Sequence, residues 1–158
     1  MSNIIRIFPG QGMIKEGGGV SGHLVVNSEA STGLANQDTW YTWNASDWVT
    51  DDLNDVTRTN KTLVIGGTHP KDLLVSFSGG LRTSSNGYYE LAIMKNGLPI
   101  LEKTIYRGRV TATSTAHSFI SHASVNPGDT IAVGVWQDLG SSITFYFEEL
   151  SRLSIGSM

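Results

Sequence analysis

Four histidines, one run of aspartates and one cluster of tryptophans are the residues whose types admit chemistry or recognition in this 158-residue chain. His23, His69, His117 and His122 form no H-E-x-x-H or H-x-H arrangement. His117 and His122 are five apart, so an extended strand points them to opposite faces and they cannot share a metal. The run Asp51-Asp52-Leu53-Asn54-Asp55 offers hard oxygen ligands. It lacks the glycine and the closing glutamate of a twelve-residue calcium loop, and reads as a solvated acidic turn. Glu148 and Glu149, like Asp51 and Asp52, are adjacent, and neighbours on a strand face opposite ways, so neither pair can flank one bond. No G-x-S-x-G is present and there is no cysteine. The glycines of residues 10–12 and 17–19 lack the lysine-serine ending of a phosphate-binding loop. No catalytic residue, metal site or cofactor is expected.

Trp40, Tyr41, Trp43 and Trp48 are four large aromatics within nine residues. Such a cluster can stack on sugar rings, meet another protein or fill a core. Alternation sets Tyr41 and Trp43 apart from Trp40, so one set is expected in the core. The others, with Trp48, are candidate ligand or interface aromatics, for a protein before a glycan.

The elements that must hold these residues are short strands. The chain is 39% hydrophobic and only 16% charged, with 18 glycines, a composition of strands and turns rather than helices. Residues 72–78 alternate with Leu73, Val75 and Phe77 on one face; residues 88–95 alternate with Tyr89, Leu91 and Ile93 on one face. Ile131, Val133 and Val135 alternate, as do Ile143, Phe145 and Phe147. Asn96-Gly97 predicts a two-residue hairpin turn, returning along residues 98–106, and Asn126-Pro127-Gly128-Asp129 predicts a second turn. Residues 39–43, 61–65 and 111–125 also read as strands. Only residues 147–153 gather helix formers.

Residues 1–38 read differently, as an N-terminal arm with edge strands at 3–8 and 23–26, and residues 39–158 as the folded domain. Ile4, Ile5, Ile7 and Phe8 are too few for a core of their own, and suit docking into a partner's groove. The N-terminus lacks the layout of a signal peptide, so no export is expected, and no apolar run reaches the roughly 18 residues of a membrane helix. A net charge of −3 with scattered Lys and Arg argues against a nucleic-acid partner.

The segment Gly87-Tyr88-Tyr89-Glu90-Leu91-Ala92-Ile93-Met94-Lys95-Asn96-Gly97 resembles the G-x-Y-x-F…N-G hairpin of the C1q and tumour-necrosis-factor-like jelly rolls. Asn126-Pro127-Gly128-Asp129-Thr130-Ile131-Ala132-Val133 resembles that superfamily's L-x-x-G-D-x-V turn and strand, and Ser142-Ile143-Thr144-Phe145-Tyr146-Phe147 stands where its last aromatic strand would be. The resemblance covers residues 72–155. It implies an all-β, antiparallel jelly-roll β-sandwich that forms homotrimers. Cysteine-free versions without a stalk or anchor are similar to virion proteins of tailed bacteriophages: capsid decoration (cement) proteins, head fibres and fibre tips.

The expected role is therefore a capsid decoration protein, made in the host cytoplasm, that sits on the outer surface of the virion and bridges subunits of the major capsid protein. The alternative is a receptor-binding or fibre-tip module. On the family's layout, residues 88–95, 117–125 and 143–147 form the sheet facing the three-fold axis, with Tyr88, Met94 and Tyr146 at the trimer interface. Ile4, Ile5, Ile7 and Phe8 form the capsid-binding arm. Neither a nucleic acid nor a membrane is among the expected partners.

Overall fold

The computed structural model describes residues 19–26, 30–34, 39–43, 48–59, 62–84, 87–100, 105–110, 114–138 and 142–158. Among them there is no helix. Fourteen strands make two antiparallel sheets: β1 (Ser21–Val26), β2 (Ala30–Leu34), β3 (Tyr41–Thr42), β4 (Trp48–Asn54), β5 (Val56–Thr59), β6 (Thr62–Ile65), β7 (Lys71–Thr83), β8 (Gly87–Lys95), β9 (Leu98–Pro99), β10 (Ile105–Val110), β11 (Thr115–Val125), β12 (Thr130–Gln137), β13 (Ile143–Phe147) and β14 (Arg152–Ser157). The first sheet runs β2-β13-β7-β14-β1-β4, with β11 on β7; the second runs β10-β8-β12-β6-β5, with β3 on β12 and β9 on β8.

Alternation explains the layering. Leu73, Val75, Phe77 and Leu81 of β7 face inward, as do Tyr89, Leu91 and Ile93 of β8 and Ile131, Val133 and Val135 of β12. Residues two apart share a face, so each strand delivers its apolar set to one side of its sheet. The inner faces of the two sheets together form one core. Trp43 follows the two-residue β3 and reaches across this core; its ring centroid lies 3.7 Å from that of Phe147 and 5.4 Å from that of Phe77.

Both expected turns are present. Asn96 and Gly97 have φ of 52° and 78°, the double left-handed conformation that a tight hairpin requires, and Gly128 has φ of 91°. The helix-forming stretch is not a helix. Phe147 ends β13, a turn follows with Leu150 at φ 67°, and Leu153 re-enters the core on β14. β13 and β14 pair in succession along β7, and the turn between them lies over Gly79 and Gly80, where an added Cβ would collide with Ser151 and Glu148.

Three expectations need correction. The boundary after residue 38 does not separate an arm from a domain, because β1 lies between β14 and β4 and buries Leu24 and Val26 in the core. The acidic run is not a turn, since Asp51 and Asp52 belong to β4, paired with β1, and only Asp55 turns the chain, at φ 50°. Finally, residues 88–95 do not share a sheet with residues 117–125 and 143–147. β8 pairs β12 and β10 in the second sheet, whereas β11 and β13 both pair β7 in the first. Alternation fixes which face of a strand is apolar and leaves open which sheet the strand joins. The expected strand at residues 3–8 and the arm residues Ile4, Ile5, Ile7 and Phe8 lie outside the described residues.

Candidate functional site

Small residues dominate the outer face of the first sheet. Ser76 and Ser78 of β7 stand beside Ser154 and Arg152 of β14 on one side, and beside Ile120 and Ser118 of β11 on the other; Leu74 stands beside Gly156 and His122. Two apolar side chains rise from this floor: Leu74 is 47% exposed and Ile120 is 60% exposed. Leu74 and Met158 border a shallow depression of about 340 Å³. Among the described residues β11 pairs only with β7, so eleven residues of strand edge adjoin the same face. Natural edges are usually blunted by lysine, proline or bulges, and β11 carries neither lysine nor proline.

One rim of this face is polar. The Ser124 hydroxyl donates to Asp72 Oδ1 at 2.6 Å, and His122 Nε2 lies 3.6 Å from the same oxygen. A serine whose proton points at a carboxylate is not activated by the imidazole, so this trio does not have the order of a nucleophile–base–orienter relay. At the other end, the Arg82 guanidinium sits 4.1 Å over the Tyr146 ring.

The expected interface residues do not meet. Tyr146 is half-buried on the outer face of the first sheet, while Tyr88 is 56% exposed on the outer face of the second. Met94 is 1% exposed and therefore not surface-available in the single chain. It packs over Gly134, where an added Cβ would collide with its sulfur, and Trp40 approaches the same glycine. Ala92 and Ala132, beside them in register, complete the trough that Met94 and Trp40 fill. Trp43 is buried on the core side. The backbone of Trp48 lies in β4; its side chain is outside the described residues.

Leu74 and Ile120 were missed by reading the sequence, although a signal existed. Leu74 is the lone apolar residue on the face that Asp72, Ser76 and Ser78 define as polar, and Ile120 stands likewise between Ser118 and His122. An apolar residue at a solvent position of an otherwise clean alternation marks a contact surface.

At the end of the sandwich where β7 begins, the two motif turns are tied into one polar hub. The Asp129 carboxylate accepts from Asn126 N–H at 2.8 Å and from Asn96 Nδ2 at 2.7 Å, and pairs with Lys95 Nζ at 3.0 Å. Asn96 Oδ1 accepts from Thr130 N–H at 2.9 Å, and Ile65 N–H donates to the Asp129 carbonyl at 2.8 Å. The Asn126 amide, then Asn96, with Lys95 adding charge, hold the Asp129 carboxyl below its ordinary value. Its contribution to stability is thus present above the ordinary carboxylate range and is lost as pH falls through the lowered value. Replacing Asp129 with alanine should cost about 2 kcal/mol in urea unfolding, because charge-assisted bonds to three groups disappear together. A loss under half of that would show the hub to be decoration on turns that hold themselves.

No family model and no curated protein matches the chain. Solved structures do. The chain is similar to the PRD1 vertex protein P5, at 10% identity and a TM-score of 0.53, over 89% of this chain and 99% of that one. It is similar to murine APRIL, at 10% identity and a TM-score of 0.51, over 82% and 98%. It is also similar to the Eiger TNF of S. frugiperda, at 12% identity and a TM-score of 0.52, over 89% and 93%. The fold is therefore an antiparallel jelly-roll sandwich of the TNF and C1q kind.

Proposed function

We propose that this chain is a structural protein of a virus particle, without enzymatic activity, that works as a homotrimer on the outer surface of the capsid. The observation that carries the reading is the exposed pair Leu74 and Ile120 on a Ser/Gly floor, beside the edge of β11. Burying each of these side chains between copies is worth about 2 kcal/mol, and the small floor residues allow close approach. The similarity in fold to a phage vertex protein supports a virion setting. In this reading the trimer decorates the shell, holds subunits of the major capsid protein together by added interface area, and grips them with residues preceding Gly19. No cofactor, nucleic acid or membrane takes part.

Light scattering after size exclusion at micromolar concentration should give the mass of three chains, and Leu74→Asp with Ile120→Asp should give one. A wild-type protein that is monomeric throughout that range would sink the trimer. A second reading, a receptor-binding module at a vertex or fibre tip, is favoured by the similarity in fold to a vertex protein. Electron microscopy of purified particles separates the two: density over the shell faces supports decoration, and density confined to vertices or tail supports the alternative.

A further inference from the structure

The far end of the sandwich, away from the Asp129 hub, is held by a buried polar pair that crosses between the sheets. His117 lies near the start of β11 on its inward face, and Tyr89 lies on the inward face of β8. The Tyr89 hydroxyl and His117 Nε2 are hydrogen-bonded at 2.8 Å, with the rings edge-on at 5.6 Å. Both residues are almost wholly buried.

Among the described residues, the groups that β7, β12 and β13 bring to the pair are uncharged. β7 brings Gly79 opposite His117 in register, and an apolar Leu81 and a Thr83 further along the same inward face. β12 brings the buried Gln137 opposite Tyr89, and β13 closes behind Tyr89 with Phe145, 5.7 Å away. Of the nearby carboxylates, Glu90 points to the other face of its sheet and Glu148 lies over Gly80 beside the β13–β14 turn. Tyr89 is a titratable side chain that touches the imidazole, hydrogen-bonded to it at 2.8 Å.

We propose that His117 is an acid-sensitive latch, whose protonation parts the two sheets at this end of the sandwich while the Asp129 end stays closed. The latch lies in the geometry of this pair, whatever the role of the protein in a virion. A tyrosine oxygen can still accept from an imidazolium, so the hydrogen bond itself does not prevent protonation; the cost lies in holding a full charge between two apolar sheet faces. Burial accordingly lowers the His117 pKa from its ordinary 6.5. Above 6.5 the group is neutral in closed and open forms alike and contributes no pH dependence. As pH falls below 6.5 the open form takes up the proton first, so closure weakens until the lowered value is reached, and stays weakened below it. Each unit of depression shifts the opening equilibrium about tenfold.

The neighbouring His122 supplies an internal control. It lies on the opposite face of the same strand, partly exposed and 3.6 Å from Asp72 Oδ1, outside the space between the sheets. The experiment is hydrogen exchange of the full chain near pH 7.5 and near pH 5, corrected for intrinsic rates. Residues 115–119 and 88–91 should lose protection about tenfold in acid while residues 124–131 keep theirs, the factor expected for a depression of one unit. His122→Gln should behave as wild type, and His117→Gln should show no acid response. Uniform loss across both ends, unchanged protection at residues 115–119, or an acid response that persists in His117→Gln overturns the proposal. If His117→Gln does not fold, the wild type decides: the imidazole titration, followed by nuclear magnetic resonance, must have its midpoint below 6.5 and protection at residues 115–119 must fall as pH drops below 6.5, and failure of either overturns the latch.

Discussion

Trp43→Ala is expected to cost about 4 kcal/mol of stability, a large part of the 5–15 kcal/mol typical of a domain. The indole is 1% exposed, although it follows a strand of only two residues. Its N-terminal anchor is a backbone bond from Trp43 N–H to the Val133 carbonyl at 3.0 Å, which fixes the side chain's origin in the second sheet. The ring then meets Phe147 at 3.7 Å and the edge of Phe77, both from the first sheet. One side chain therefore spans both layers, and no small movement of its neighbours fills the volume it leaves. Trp40→Ala makes the useful contrast, because Trp40 is half-buried on the opposite face over Gly134 and its loss leaves the inter-sheet core intact. Urea unfolding of the two variants should show a midpoint far lower for Trp43→Ala. Equal midpoints would mean that the cluster acts from the surface, as a ligand or partner site, and that the packing assigned to Trp43 is wrong.

Much of the sandwich was legible because its strongest strands send their large apolar residues, spaced two apart, to one face of the core. β7, β8, β12 and β13 each repeat Leu, Ile, Val, Tyr or Phe at every second position, a spacing that a helix cannot bring to one face. The two turns were legible for a separate reason, since Asn96-Gly97 and Pro127-Gly128 supply backbone conformations that few other pairs reach. β4 and β5 were not legible. Their sequences, WVTDDLN and VTRT, carry the charges that keep an edge strand soluble, and the same charges imitate a turn. The break between β13 and β14 was hidden as well, because Gly79 and Gly80 that accommodate it lie some seventy residues earlier in the sequence. The candidate site shows the same limit. Met94 reads as an outward apolar residue from its own strand, and only the pairing of Ala132 and Gly134 with β8 creates the trough that buries it.

The second large effect concerns the residues before Gly19, and the structure sets where the cut must fall. Removing residues 2–18 leaves every described contact in place, and the shortened chain should still fold. Removing residues 2–22 should cost stability. Val20 is buried in the core, its carbonyl accepts from Ser157 N–H at 2.8 Å, and Asn54 Nδ2 donates to the carbonyl of Gly19. Ser21 and Gly22 start the pairing of β1 with Gly156 and Ile155 of β14. The longer cut loses about 2 kcal/mol from Val20 alone, before the lost strand pairing is added. Thermal unfolding of both truncations checks this boundary, and equal stability would place the fold's true start beyond Gly22. The shorter cut then tests the proposed role of Ile4, Ile5, Ile7 and Phe8. In the proposed trimer three such arms would act together through effective concentration, so losing all three should weaken attachment to undecorated shells by about a hundredfold. Occupancy measured at matched concentrations of full-length and shortened protein gives the answer. Unchanged occupancy by a folded, trimeric 2–18 deletion would remove the arm from attachment and pass the gripping surface to the sandwich, with the turns around Asp129 and the C-terminal strand nearest to where the arm departs.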